Sequence, residues 1–215
     1  AYLLMKAINK ATLTLKFTPV MVGSAIKNKG VQHLLDGVTS YLPNPTQVVN
    51  EALNQDKGEE KTILACDSTG PLVALAFKLE DGQYGQLTYI RVYQGSITRG
   101  DTLVNIRNHR KVKVSRVVRM HADQMEDIET MPAGYIGALF GIDCASGDTF
   151  VAPGLNLTMT SMFVPDPVIS LSIAPADNQS EIRISRALSR FTKEDPTFRT
   201  YVDHETSETI IEGMG

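Results

Sequence analysis

Between Ile63 and Met162, glycines cut the chain into short runs in which apolar residues recur at every second position. That rhythm restricts the middle of the chain to an antiparallel all-β core. In PLVALAFKLE, Val73, Leu75, Phe77 and Leu79 alternate, and a period of two puts them on one face of a strand. After the turn DGQYG come GQLTYIRVYQG, DTLVNI, KVKVSRVVRM, GYIGALFGI and LNLTMTSM, punctuated by Gly82, Gly85, Gly95, Gly100, Gly134, Gly147 and Gly154. Such spacing indicates a small closed antiparallel barrel, with a β-sandwich as the alternative.

The flanks follow other periods. Leu3, Leu4, Ala7, Ile8 and Ala11 recur at helical spacing, FTPVMVG reads as a short buried strand, and SAIKNKG as a loop. In VQHLLDGVTSYL, the residues Val31, Leu34, Leu35, Val38, Tyr41 and Leu42 mark one helix face. Pro43 and Pro45 stop that helix, because a ring in place of an N–H cannot extend it. The polar stretch TQVVNEALNQDKGEEKT reads as a linker. Beyond Val164, the expected order is a strand in VPDPVISLSIAP, a helix capped by Asn178 with Glu181 three residues on, and strands in FRTYVDH and ETIIEGMG. The helix would bury Ile184, Ala187, Leu188 and Phe191. This β-α-β-β order is a split βαβ unit without its second helix and last strand. With the helix–strand–loop–helix opening and the absence of an initial methionine, the chain reads as a piece cut at both ends.

Composition narrows the function classes. Over 215 residues, 42% are apolar and the formal charge is −3, which gives no global nucleic-acid signal. No run approaches the roughly 18 apolar residues of a membrane span, and no secretory signal is evident. Cys66 and Cys144 lie far apart and read as free thiols, and the scattered His33, His109, His121 and His204 offer no metal-binding spacing. Phosphate-loop, nucleophile-elbow, zinc-protease and dinucleotide-binding patterns are all missing. Glu194 and Asp195, ahead of Pro196, read as a helix end rather than a catalytic pair.

Charge is segregated along the chain. From Thr102 to Ala122 there are six cations and no acid: Arg107, Arg110, Lys111, Lys113, Arg116 and Arg119. Asp123, Glu126, Asp127 and Glu129 follow at once. A hairpin with Lys111 and Lys113 outward and Val112 and Val114 inward would present cations to a phosphate backbone. A solvated charged edge that prevents aggregation is the plainer alternative. VMVGSAIKNKG poses a similar choice: its Ser24-Ala25 turn either exposes N–H groups to a ligand or merely joins a strand to a helix.

Longer motifs resemble a known family. FTPVMVGSAIKNKGVQHLLDGVTSYLPNP is similar to the end of the GTPase domain of translation elongation factor G. GPLVALAFKLEDGQYGQLTYIRVYQGSITRGDTL and RVVRMHAD resemble its second domain, an antiparallel translation-protein β-barrel. VPDPVISLSIAP, ALSRFTKEDPTFR and ETIIEGMG resemble the start of its ferredoxin-like third domain, and ALFGIDCASGDTF is similar to the mitochondrial form.

The resemblance implies a mixed α/β and β fold in four parts. Residues 1–46 end a GTP-binding α/β domain, 47–62 link, 63–163 form the barrel, and 164–215 form a partial ferredoxin-like βαββ unit. It implies a GTPase that drives ribosomal translocation in the mitochondrial matrix, with a ribosome-recycling or ribosome-protection GTPase, or a non-enzymatic RNA-binding barrel protein, as alternatives. Ser24 and Ala25 match the loop whose Ala N–H reads guanine O6, and Lys27 flanks it. GTP and Mg²⁺ belong to the whole protein; no catalytic residue, metal site or bound cofactor is expected in this chain, which should be inactive alone. The barrel would dock on small-subunit ribosomal RNA and proteins through the basic residues, with tRNA and mRNA indirect partners, as a monomer off the membrane. Pro165, Pro167 and Thr197 match the interdomain crevice that takes fusidic acid.

Overall fold

The structure is a computed structural model describing residues 2–82, 85–122, 124–160 and 164–215. Gln83 and Tyr84 of the expected DGQYG turn, and Ser161 and Met162 of the last expected barrel strand, lie outside the described residues. The chain divides into two compact units, Ala1–Val49 and Asn50–Gly215.

The first unit holds α1 (Tyr2–Leu13) and α2 (Val31–Tyr41). Asn9 Nδ2 donates to the Ser40 carbonyl at 2.8 Å, joining the two helices. Leu42 leaves helical geometry ahead of Pro43, as the proline predicts. FTPVMVG is not a strand. Val20 and Val22 are 85% and 95% exposed, and apart from the Ser24–Lys29 bridge, no neighbouring backbone among the described residues completes a ladder. Met21 instead lies against α2, where a Cβ on Gly37 would collide with its methyl group. Leu34, Leu35 and Val38, expected to face a core, are exposed.

The second unit opens with β1 (Asn50–Asn54) and β2 (Glu60–Leu64), where a linker was expected. Ala52 and Leu64 are buried, whereas the rest of the pair is mostly polar and exposed or half-buried, so composition alone resembles a loop. The barrel continues through β3 (Val73–Gly82), β4 (Gly85–Gln94), β5 (Ser96–Thr98), β6 (Thr102–Asn105), β7 (Arg110–Lys113) and β8 (Val117–His121). It ends with β9 (Gln124–Ile128), β10 (Thr130–Pro132), β11 (Ile136–Phe140), β12 (Thr149–Val151) and β13 (Leu157–Met159). One antiparallel ladder runs β7-β6-β12-β3-β4-β11-β8-β9, flanked by the small sheets β13-β1-β2 and β10-β5.

The ladder curls around one main core, with two smaller buried clusters beside it. Ala76, Ile90, Leu103, Val117, Leu139 and Phe150 come from six of its strands and share one buried cluster, against which Val112 of β7 and Ile128 of β9, at its two ends, also pack. A sandwich would place two separate sheets face to face, so shared burial from both ends of one ladder decides for the barrel. A register shift between Ala76 and Lys78 marks a bulge, a usual means of bending a strand.

The chain then forms β14 (Ile169–Ile173), α3 (Asn178–Glu194), β15 (Arg199–Val202) and β16 (Thr209–Gly213). The order β14-β16-β15, antiparallel throughout, is the split βαβ arrangement expected. The N-cap of α3 is Asp177 rather than Asn178: Asp177 Oδ1 accepts the Ser180 N–H at 2.6 Å.

Candidate guanine-nucleotide loop and nucleic-acid interface

The loop after Val22 closes on itself. The Ser24 N–H donates to the Lys29 carbonyl at 2.9 Å, and the Lys29 N–H returns to the Ser24 carbonyl at 3.0 Å. Inside this bridge, the Asn28 N–H donates to the Ala25 carbonyl at 3.0 Å. Two glycines permit the closure. A Cβ on Gly23 would lie 2.7 Å from the Lys29 oxygen, and Gly30 sits at φ +76°, where L side chains are strained. Among the described residues, no backbone carbonyl accepts the Ala25 N–H. Ser24 and Ala25 border a cleft of about 280 Å³, shared with Met21, Val22, Lys29 and Leu34. Lys27 is exposed and does not line it.

The six cations do not form one surface. A basic hairpin forms between β6 and β7 and carries Arg110, Lys111 and Lys113, while β8, which holds Arg119, pairs instead with β11 and β9. The crossing occurs between them: the Val114 N–H donates to the Asp101 carbonyl, and the Arg116 carbonyl accepts from Phe140 on β11. A second hairpin, β8–β9, places Arg119 opposite Glu126. Arg119 donates through Nε and Nη2 to Glu126 Oε2, and Arg116 grips both oxygens of Asp127. Arg116 also lies over the Phe140 ring at 4.8 Å. Its hydrogen bond holds the Asp127 carboxyl below the usual carboxylate range.

Arg107 is committed elsewhere. Its Nε and Nη2 donate to Asp148 at 2.6 and 3.0 Å, and Asp148 is only 4% exposed. Arg110 lies near enough to Asp143 to help hold that carboxyl below its ordinary range, although the Lys193 hydrogen bond is the larger cause. Lys111 and Lys113 remain. They are exposed on one face of β7, an end strand of the ladder, while Val112 between them packs against the core. Asp148, the partner of Arg107, carries no signal in the sequence, and the pairing of Arg116 and Arg119 with Asp127 and Glu126 does not show there either. The acidic run after Ala122 was visible, but the fold-back of β9 decides what it faces.

In the third domain, Thr197 donates through N and Oγ1 to Asp195 Oδ1 at 2.8 and 2.7 Å, which supports reading Glu194-Asp195 as a helix end. Pro165 and Pro167 flank Asp166, which accepts from Arg199 Nη2 at 2.9 Å. A cleft of about 240 Å³ nearby is lined by Ile169, Leu171, Phe198 and Ile211, and neither the two prolines nor Thr197 borders it. No group of three or more potential metal ligands occurs among the described residues. Both cysteines are free thiols, and burial pushes Cys144 up to about 11. No helix among the described residues is long and apolar enough to cross a membrane.

A curled antiparallel barrel followed by a split βαβ sheet defines the class: a translation-factor module. Residues 85–151 match the family described as Elongation factor Tu domain 2, and residues 164–215 match Elongation Factor G, domain III. The chain thus joins a segment similar to elongation factor Tu domain 2 to one similar to elongation factor G domain III.

Over 213 residues it is 64% identical to Elongation factor G 1 of Syntrophus aciditrophicus, 60% to that of Desulfotalea psychrophila and 59% to that of Treponema pallidum. Each alignment covers 99% of this chain and 31% of the relative, so the chain spans about a third of the relatives' length. A crystal structure of a Thermus thermophilus protein shares the fold across 100% of this chain and 30% of its own, with TM-score 0.75 at 23% identity. The mitochondrial assignment is overturned, since these relatives are bacterial and point to a cytoplasmic factor. The ALFGIDCASGDTF stretch that suggested an organelle is a short local likeness, outweighed by identity along the whole chain.

Proposed function

We propose that this chain is the force-transmitting middle of a translational GTPase of the elongation factor G type, which moves tRNA and mRNA through the ribosome. The observation that carries the reading is the 64% identity to an elongation factor G along 99% of the chain. In this reading, residues 1–46 close a GTP-binding domain and Ser24–Ala25 selects the base. The Ala25 N–H, without a backbone acceptor among the described residues, suits a carbonyl acceptor such as guanine O6. An amino group at that position would leave two donors opposed, which is the physical basis for rejecting adenine. Lys27 supports the loop from outside.

GTP and Mg²⁺ belong to the whole protein, where the nucleotide supplies the phosphoryl group and the metal charge neutralisation. Phosphoryl transfer needs phosphates, metal and water held in line. This sequence has no phosphate-loop pattern, so the chain alone does not turn over GTP. The barrel docks on small-subunit ribosomal RNA, with Lys111 and Lys113 as its free phosphate contacts and Arg110 beside them. Arg107, Arg116 and Arg119 are withdrawn into ion pairs. Pro165, Pro167 and Thr197 contribute to the fusidic-acid crevice only when the GTP-binding domain faces them.

The test is made on the full-length protein. Ribosome-stimulated GTP hydrolysis with movement of tRNA and mRNA by one codon is the expected result. Hydrolysis accompanied by subunit splitting without movement would place it with recycling factors. RNA binding with no GTP hydrolysis would leave the non-enzymatic barrel reading.

A further inference from the structure

A loop of the barrel caps a helix of the third domain. The Ser146 N–H donates to the Lys193 carbonyl at 2.9 Å, and Ser146 Oγ donates to the Glu194 carbonyl at 2.9 Å. Beside them, Lys193 Nζ donates to Asp143 Oδ1 at 2.6 Å. The last carbonyls of an α-helix find no N–H within the helix. Here a serine from another domain satisfies two of them, the service a C-cap residue performs locally.

The loop is built for that position. The Asp148 carboxylate, almost fully buried, accepts from Ala145 N, Asn105 Nδ2 and both Arg107 nitrogens. Asn105 is itself fully buried, and its Oδ1 accepts the Arg107 N–H. The Gly147 N–H donates to the Ala76 carbonyl, and the Ala76 N–H to the Asp148 carbonyl, which sews the loop to β3. A buried carboxylate with a full set of donors resists rearrangement, because any displaced donor leaves charge unpaired in a poorly solvated site. The contact on α3 is lighter: the Lys193 and Asp143 side chains are 42% and 67% exposed, and exposed ion pairs add little.

We infer that the 143–148 loop is an interdomain clamp. The Arg107–Asp148 pair holds it in the shape that caps α3, and opening of the Ser146 and Asp143 contacts frees the third domain to turn on the barrel. Arg107 and Asp148 are thus positioning residues that act through Ser146.

The test uses the 215-residue chain and nitrogen-15 relaxation, which reports the tumbling of each domain, together with amide hydrogen exchange. In the unmodified chain, barrel and third-domain amides should share one correlation time. Asp143→Ala/Ser146→Ala, at an exposed and a half-buried position, should shorten the correlation time of the third domain alone. It should also speed exchange at position 146 about tenfold, the loss of roughly one hydrogen bond's stabilisation, with Ala76 and Val151 unchanged. Arg107→Gln should act in the same direction on position 146, and Arg107→Lys should restore part of the protection. Common tumbling retained in the double variant, or separate tumbling in the unmodified chain, overturns the clamp. Uniform acceleration across the barrel reduces Asp148 to a fold-stabilising residue, and unchanged exchange at 146 in Arg107→Gln removes Arg107 from the device.

Discussion

Arg107 and Asp148, 41 residues apart, meet through two hydrogen bonds of 2.6 and 3.0 Å. One partner is nearly sealed from water, while the other is 55% exposed along its side chain. A cation that local charge assigns to nucleic acid is thereby tied to the barrel wall. The bond to Asp148 raises the Arg107 pKa further, so it stays charged under all ordinary conditions.

Arg107→Ala should therefore destabilise the barrel by about 1–3 kcal/mol, the range for leaving a buried charged acceptor short of donors. The check is the urea midpoint of the 215-residue chain. A midpoint equal to that of the unmodified chain would show the pair to be without structural value.

Lys111→Ala/Lys113→Ala should do the reverse. Stability stays unchanged, since both ammonium groups are exposed on β7, while ribosome affinity weakens. Each lost phosphate contact should lower the slope of log affinity against log salt by about 0.7–0.9. Filter binding across a salt series measures it, and an identical slope in the variant would remove both lysines from the interface.

Gly30→Ala should open the guanine loop. A side chain at φ +76° pays roughly 1–2 kcal/mol for the left-handed conformation. Its Cβ would also meet the Val22 oxygen at 2.9 Å. Faster amide exchange at Ser24 and Lys29 is the expected signature, with weaker guanine-nucleotide affinity in the full-length protein.

Acid should weaken the clamp as well as the barrel's β8–β9 hairpin. The Lys193 hydrogen bond depresses the Asp143 pKa, and the Arg116 hydrogen bond depresses that of Asp127. For a carboxyl depressed in the folded state, stabilisation is complete above its unfolded pKa, about 3.9 for Asp, and is lost as pH falls through the lower folded value. Carbon-13 titration of the two carboxyls should give midpoints below that reference. Asp143→Asn should remove its share of the acid sensitivity, read from exchange at Ser146 below about pH 4.

Cys144 should resist alkylation that Cys66 accepts. Cys144 is buried, with its thiol pushed up to about 11, whereas Cys66 is partly exposed. Iodoacetamide at about pH 8, near the ordinary thiol pKa, should label Cys66 first by a wide margin under native conditions, as mass spectrometry of the peptides would show. Equal labelling would mean that the barrel opens readily at that site.

Much of the fold was legible because it depends on short-range periodicity. Alternation in PLVALAFKLE marked β3 as a strand, although the main core takes Ala74, Ala76 and, past the bulge, Leu79 in place of the expected Val73, Leu75 and Phe77. Pro43 marked the end of α2, and Ser24-Ala25 marked a tight loop, since backbone geometry there is set within a few residues. β1 was not legible: it buries Ala52 within a polar run and gains its identity from pairing with β2 and β13. FTPVMVG failed in the opposite sense, with strand composition and no partner backbone beside it among the described residues.

Charge shows the same division. The sequence alone determined which residues are basic, and that Lys111 and Lys113 share a face, because a strand's period is local. Tertiary structure alone decided that Arg116 and Arg119 answer Asp127 and Glu126, that Arg107 answers Asp148, and that Ser146 caps a helix 48 residues away. Those partners are chosen by ladder register and barrel closure, which no local period encodes, and only proximity turns opposite charges into a bond.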